Sequence, residues 1–131
     1  KKPIFFLADD ELTVIDSLLY QLKNHYGNRF TYESAQTIEE ARETLADLHR
    51  SGEEVKVVIS DWLIPPDNSD NLMIFIRNLF PKTKLVMLSG YADQASIDKA
   101  YSEAQLNLFI RKPWDEQHLL SELDLLLEQE S

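Results

Sequence analysis

The chain has 131 residues, 44% hydrophobic and 27% charged, with 13 Lys+Arg against 23 Asp+Glu and no cysteine. That length suits one domain with a real core, and the apolar share sets it apart from a disordered acidic tail. A formal net charge of -10 argues against direct binding of nucleic acid, which calls for a basic face, and the missing cysteines remove disulfides, thiolate catalysis and Cys-ligated zinc.

The first apolar run, Ile4–Ala8, has strand length and is too short for a signal-peptide core or a membrane span. Leu12, Ile15, Leu18, Leu19, Leu22 and Tyr26 then recur at steps of three and four, as one face of a helix requires. Phe30–Ser34 alternates apolar and polar residues, which fits a strand at a sheet edge. Thr37 with Glu40 forms a capping box that opens a second helix through Ile38, Ala41, Leu45 and Leu48. The third strand, Val55–Ser60, and the fourth, Leu85–Ser89, are almost wholly apolar, as strands covered on both faces are. Between them, Leu72, Phe75, Ile76 and Leu79 predict a third helix, and the polar stretch Pro65–Asn71 has loop composition. A fourth helix runs through Ile97, Ala100, Tyr101 and Ala104, and a mixed fifth strand follows at Asn107–Arg111. Asp115 is placed to cap a fifth helix through Leu119, Leu120, Leu123, Leu126 and Leu127. Strands separated by helices pair in parallel through right-handed crossovers. The expected fold is therefore α/β: a doubly wound, flavodoxin-like (βα)5 sheet in the order 2-1-3-4-5, forming one domain over residues 1–131.

In such a sheet, function gathers just past the carboxyl ends of the strands. Asp9 and Asp10 follow the first strand and Asp61 the third, while the fourth ends in Ser89-Gly90 and the fifth in Lys112-Pro113. Each has an ordinary reading alone: a helix cap, a turn, a solvated lysine. Their convergence at one end of one sheet is harder to obtain by accident. Grouped carboxylates repel unless a cation offsets them or a pKa moves. All-oxygen ligation without His or Cys suits Mg2+.

Those residues, in that order on five βα units, resemble the receiver domain of a two-component response regulator, over residues 4–128. The resemblance implies that Asp61 takes a phosphoryl group from a histidine kinase or phosphotransfer protein. It implies that Asp10, Asp61 and the backbone carbonyl of Leu63 hold Mg2+ as cofactor, with Asp9 positioning the metal's waters. Ser89 would bond the phosphoryl group and Lys112 would pair with it. It further implies a switch in which Ser89 moves inward and Phe109 fills the vacated space. That would alter the face of the fourth helix, fifth strand and fifth helix, including Tyr101 and Arg111, where an output domain, an effector or a second copy would dock. A cis Lys112-Pro113 bond is implied as well. The chain is then a signalling domain rather than an enzyme, cytoplasmic, without membrane attachment, and a fragment of a larger response regulator.

The loop after Asp61 departs from the family pattern: Pro65 is followed by Pro66-Asp67-Asn68-Ser69 before Asp70-Asn71, two residues longer than usual, with Asn where Gly is expected. Asn tolerates a left-handed turn. Leu63 and Tyr91 lie two positions past Asp61 and Ser89, where the resemblance implies side chains that flank the path of attacking water. Both are bulky and Leu63 offers no polar group to orient a water, so slow self-dephosphorylation is expected. Trp62 is expected to pack locally or to form a partial lid, and Trp114 to pack beneath the fifth helix. His25, His49 and His118 lack ligand spacing. Three other classes fit less well. An aspartyl-phosphate phosphatase carries Asp-x-Asp after the first strand, where this chain has Asp9-Asp10-Glu11. A flavodoxin needs a phosphate loop there, and those carboxylates would repel the phosphate. A pseudo-receiver that docks without taking phosphate is disfavoured by the complete residue set.

Overall fold

The computed structural model describes residues 1–129 apart from Pro65, Pro66 and Ser69. Five parallel strands form the main sheet: β1 (Ile4–Ala8), β2 (Thr31–Ala35), β3 (Val55–Ser60), β6 (Lys84–Ser89) and β7 (Leu108–Arg111). A two-stranded antiparallel ribbon, β4 (Leu63–Ile64) with β5 (Asp67–Asn68), sits between β3 and the third helix. The main sheet runs β2-β1-β3-β6-β7, which is the expected 2-1-3-4-5 once the ribbon is set aside. Five helices alternate with its strands: α1 (Leu12–Tyr26), α2 (Ile38–Arg50), α3 (Asp70–Leu79), α4 (Gln94–Glu103) and α5 (Glu116–Glu128).

Two apolar layers follow from the side-chain alternation of the central strands. Phe6, Val58, Leu85 and Met87 point to one layer with Ala41, Leu45, Leu72, Ile76, Ile97 and Ala100 of α2, α3 and α4. Phe5, Leu7, Val57, Ile59, Val86 and Leu88 point to the other, with Ile15, Leu18, Leu22, Leu119 and Leu123 of α1 and α5. Because both faces are covered, β1 is wholly apolar and β3 and β6 keep polar residues only near their ends, at Lys56, Ser60, Lys84 and Ser89. Each fully buried Leu or Phe contributes ~1.5–3 kcal/mol. Side-chain caps begin α2, α4 and α5. Thr37 accepts the Glu40 N–H at 3.0 Å while the Glu40 side chain accepts the Gln36 N–H at 2.8 Å. Asp115 accepts the His118 N–H, and Asp93 the Ser96 N–H.

Several expectations shift. The second strand begins one residue later, at Thr31, and keeps its edge position. Leu12, expected on the buried face of α1, is 55% exposed because it opens the helix beyond the carboxyl edge of the sheet. Tyr101 of α4 is 44% exposed, whereas its neighbours Ile97, Ala100 and Ala104 are buried. The stretch 65–71 is not all loop: Asp67–Asn68 pair with the ribbon, and Asp70 and Asn71 are already in α3. Asn71 therefore has no left-handed turn to accommodate. Trp62 is buried in the α2–α3–α4 layer, as packing rather than as a lid. Trp114 packs against the α1–α5 layer and donates its indole N–H to Gln21 at 2.9 Å. The Lys112-Pro113 bond is cis.

One side chain ties together the end of the sheet opposite Asp61. Arg77 of α3 donates to the carbonyls of Pro81 (2.8 Å), Thr83 (2.7 Å), Ala104 (3.0 Å) and Gln105 (3.0 Å), and to the Asn107 amide oxygen. Gln105 sits in the left-handed region, at φ 53°, a conformation costly for a residue with a Cβ unless its surroundings hold it. Burial lowers the guanidinium pKa from its ordinary value, and the carbonyls replace the water it loses. Arg77→Met should therefore lower stability by about 2–3 kcal/mol, the scale of charge-assisted bonds lost with their acceptors left behind. Urea unfolding measures it; a loss under about 0.5 kcal/mol would mean that water replaces the guanidinium.

Candidate functional site

The carboxyl ends of β1, β3, β6 and β7 lie side by side in the sheet order, and the residues just beyond them are held by backbone bonds. The Asp9 N–H donates to the Ala35 carbonyl at 3.1 Å, and the Asp61 N–H to the Ala8 carbonyl at 2.9 Å. The Lys112 N–H donates to the Ser89 carbonyl at 3.1 Å. Each strand thus hands its functional residue to a neighbour that fixes where it leaves the sheet.

The side chains meet there. Lys112 Nζ donates to Asp9 Oδ2 at 2.7 Å and to Asp61 Oδ2 at 3.0 Å. Both carboxylates are buried, at 2% and 4% exposure, while Asp10 is exposed. Oxygens of Asp9, Asp10 and Asp61 all lie within 4.8 Å of one another. Asp9 also accepts the Glu11 N–H at 2.9 Å, and Glu11 Oε1 stands 3.8 Å from Lys112 Nζ. Burial pushes the Asp9 carboxyl above its usual range, against the Lys112 bond, the Glu11 N–H and the Lys112 charge, which lower it. For Lys112, burial works against the ammonium, yet its bonds to Asp9 and Asp61 and their charges prevail and hold its pKa above the ordinary lysine value. Ser89 is fully buried, and its hydroxyl oxygen accepts the Tyr91 N–H at 3.2 Å.

One ammonium against three carboxylates leaves the cluster net negative, with its opening on the side of exposed Asp10. An all-oxygen set that reaches solvent on one side fits a hard divalent cation that keeps several of its waters. Asp9, Asp10, Asp61 and Lys112 are thus brought together as the sequence led one to expect, with Ser89 at the same edge. Phe109 stands apart, half-buried in β7. Of the two residues on which the lifetime expectation rests, Leu63 opens the ribbon with its side chain outside the described residues, and Tyr91 is highly exposed. The histidines stay away: His25 bonds Asp124 on α5, and His49 packs edge-on against Phe80. One participant was missed. Glu11 supplies its N–H to Asp9, a reach of two residues that an Asp ahead of a helix commonly makes. Arg111 lies 5.0 Å over the Phe109 ring, as residues two apart on one strand face can.

A doubly wound sheet with an acidic cluster and a lysine at its carboxyl edge defines a phosphoryl-signalling class of domain. The model of the response regulator receiver domain matches residues 5–124, and the chain belongs to that family. Among curated proteins it is similar to sensor kinase CckA of Brucella abortus, 29% identical over 101 residues that cover 77% of this chain and 10% of that protein. It is also similar to the hydrogenase transcriptional regulatory protein HoxA of Cupriavidus necator, 27% identical over 120 residues, covering 92% of this chain and 23% of that one. The signal receiver domain of an HD domain-containing protein from Pseudomonas fluorescens Pf-5 superposes with a TM-score of 0.84 at 29% identity, covering 98% and 96% of the two chains. A CheY-like receiver from Methanospirillum hungatei, at 23% identity and TM-score 0.83, shares the fold.

Because folding raises the Asp9 pKa, stability falls as pH rises from the ordinary carboxylate range through the folded value. Lys112 has the opposite sense in its own range: its contribution is present below the ordinary lysine pKa and is lost as pH rises through the raised folded value. Lys112→Ala removes the bond and the charge by which Lys112 lowers Asp9 while leaving the Glu11 N–H in place, so Asp9 should move further up. The fall in stability as pH rises above the ordinary carboxylate range, in metal-free buffer, should then become larger. Urea unfolding across that range measures it. Parallel curves for the parent and the variant would contradict the role given to Lys112.

Proposed function

We propose that this chain is the phosphoacceptor module of a two-component phosphorelay, with Asp61 as acceptor. A carboxylate oxygen of Asp61 attacks phosphorus, the bond from phosphorus to the donor histidine nitrogen of a kinase or phosphotransfer protein breaks, and that nitrogen keeps the electron pair. Such transfer asks for alignment and charge neutralisation more than for covalent work by the protein. The observation that carries the proposal is the Lys112 ammonium 3.0 Å from Asp61 Oδ2, inside a cluster whose net charge is negative. It holds a positive charge where phosphoryl oxygens would arrive, with no rearrangement needed at that moment.

Asp10 and Asp61, with the Leu63 backbone carbonyl, would hold Mg2+, and Asp9 would orient its waters. When bound, that ion supplies further neutralisation of the phosphoryl oxygens. Asp9 also anchors Lys112, accepting from its Nζ at 2.7 Å. Ser89 offers a hydroxyl whose oxygen already accepts the Tyr91 N–H, so its proton is available to a phosphoryl oxygen when the loop moves inward. Half-buried Phe109 and exposed Tyr101 support the reading that α4, β7 and α5 form the face that responds, where an output domain, an effector or a second copy would dock. The chain spans about a tenth and about a quarter of its two curated relatives, a sensor kinase and a transcriptional regulatory protein. That supports a receiver module within a larger response regulator. Among the described residues no helix is long and apolar enough to cross a membrane.

Treatment with acetyl phosphate and Mg2+ followed by intact-mass spectrometry tests the proposal. One phosphoryl adduct is expected, lost in Asp61→Asn and sharply reduced in Asp10→Ala. Equal labelling of Asp61→Asn would overturn the assignment.

A further inference from the structure

Arg111 stands opposite Ser89 in the parallel register of β6 and β7. Successive side chains of a strand take opposite faces, so Arg111 shares the face of Phe109. Its guanidinium lies 5.0 Å from the centroid of the Phe109 ring, and its Nη1 donates to the Ala92 carbonyl at 3.4 Å. Ala92 belongs to the loop that leaves β6 after Ser89 and enters α4, and that residue is buried beside the highly exposed Tyr91. A single side chain therefore bridges the aromatic residue and the loop, one position before the lysine that reaches Asp9 and Asp61.

We infer that Arg111 is a latch on the receiver switch, a positioning residue that holds the loop after Ser89 and the Phe109 ring in their unphosphorylated arrangement. This rests on the phosphoacceptor function proposed above. If the loop carrying Ser89 moves toward a phosphoryl group on Asp61, the Ala92 carbonyl is drawn away from Arg111. If Phe109 turns inward behind it, the ring leaves the guanidinium. Both contacts belong to one state and are lost in the other, and a difference of that kind is what biases a two-state equilibrium. A cation over a partly exposed ring and one long hydrogen bond are modest interactions, so Arg111 sets a threshold rather than a lock. Removing it should raise the population of the switched arrangement about two- to fivefold.

Hydrogen exchange of residues 90–96 in the parent, Arg111→Ala and Arg111→Lys tests this, each with Mg2+ alone and with Mg2+ and beryllofluoride as phosphoryl analogue. Urea unfolding confirms that each variant is folded, and Arg111→Gln, which keeps a donor but no cation, serves if Arg111→Ala is not. Without the analogue, exchange should be about two- to fivefold faster in Arg111→Ala and intermediate in Arg111→Lys. With the analogue, all should converge. A residue that merely packs the loop would speed exchange equally in both conditions, and that result, or unchanged exchange, would overturn the latch. Acetyl phosphate labelling separates the two ideas. A parent that takes no phosphoryl group overturns the phosphoacceptor function and the switch with it. Normal labelling of parent and variant with identical exchange overturns the latch alone.

Discussion

The ammonium of Lys112, held between the buried carboxylates of Asp9 and Asp61, is the contact on which the rest of this molecule depends. Two carboxylates brought out of water beside each other would be strongly unfavourable alone, because burial and mutual repulsion act in the same direction. The bridging cation makes the arrangement tolerable without making it neutral. Burial still raises the Asp9 pKa, and Asp10 adds a further negative charge at the solvent edge. The cluster is thus short of positive charge, which is the condition a site needs if a divalent cation is to bind there.

The fold supplies the constraint that makes such a cluster possible. Asp9, Asp61 and Lys112 are separated by as many as 103 residues, yet each lies just past the end of a parallel strand, and parallel strands present their carboxyl ends at one edge. Apolar layers on both faces fix the register, since a slip by one residue would exchange the two faces of every central strand. At the opposite end, Arg77 joins the exit of α3 to the exit of α4 through backbone carbonyls. The end of α4 near Gln105 is therefore tethered, while its start, near Ala92, is held to β7 by the longer Arg111 bond. Any rearrangement of α4 is accordingly easier at the end that faces the carboxylate cluster.

Much of this was legible in the sequence, for identifiable reasons. Continuous apolar runs fixed β1, β3 and β6 as doubly covered strands, and the topology then placed Asp9, Asp10, Asp61, Ser89 and Lys112 at one edge. Leu12 misled because periodicity counts apolar residues without knowing how far a helix projects past the sheet. The ribbon of Leu63–Ile64 with Asp67–Asn68 was hidden because two-residue strands carry no periodic signal. The reach of Arg77 and Arg111 was equally hidden, since a long side chain's partners depend on tertiary neighbours as far as 30 residues away in sequence. Asp9 with the Glu11 N–H was the exception, a local bond that the sequence could have disclosed.

A crystal structure of the chain with Mg2+ and beryllofluoride tests the central role of the Lys112 cluster most directly. The expected result is the analogue joined to an Asp61 carboxylate oxygen, with Lys112 Nζ and the Ser89 hydroxyl on its fluorides and the metal beside Asp10. An analogue bound elsewhere, or one on Asp61 with Lys112 turned out to solvent, would contradict it.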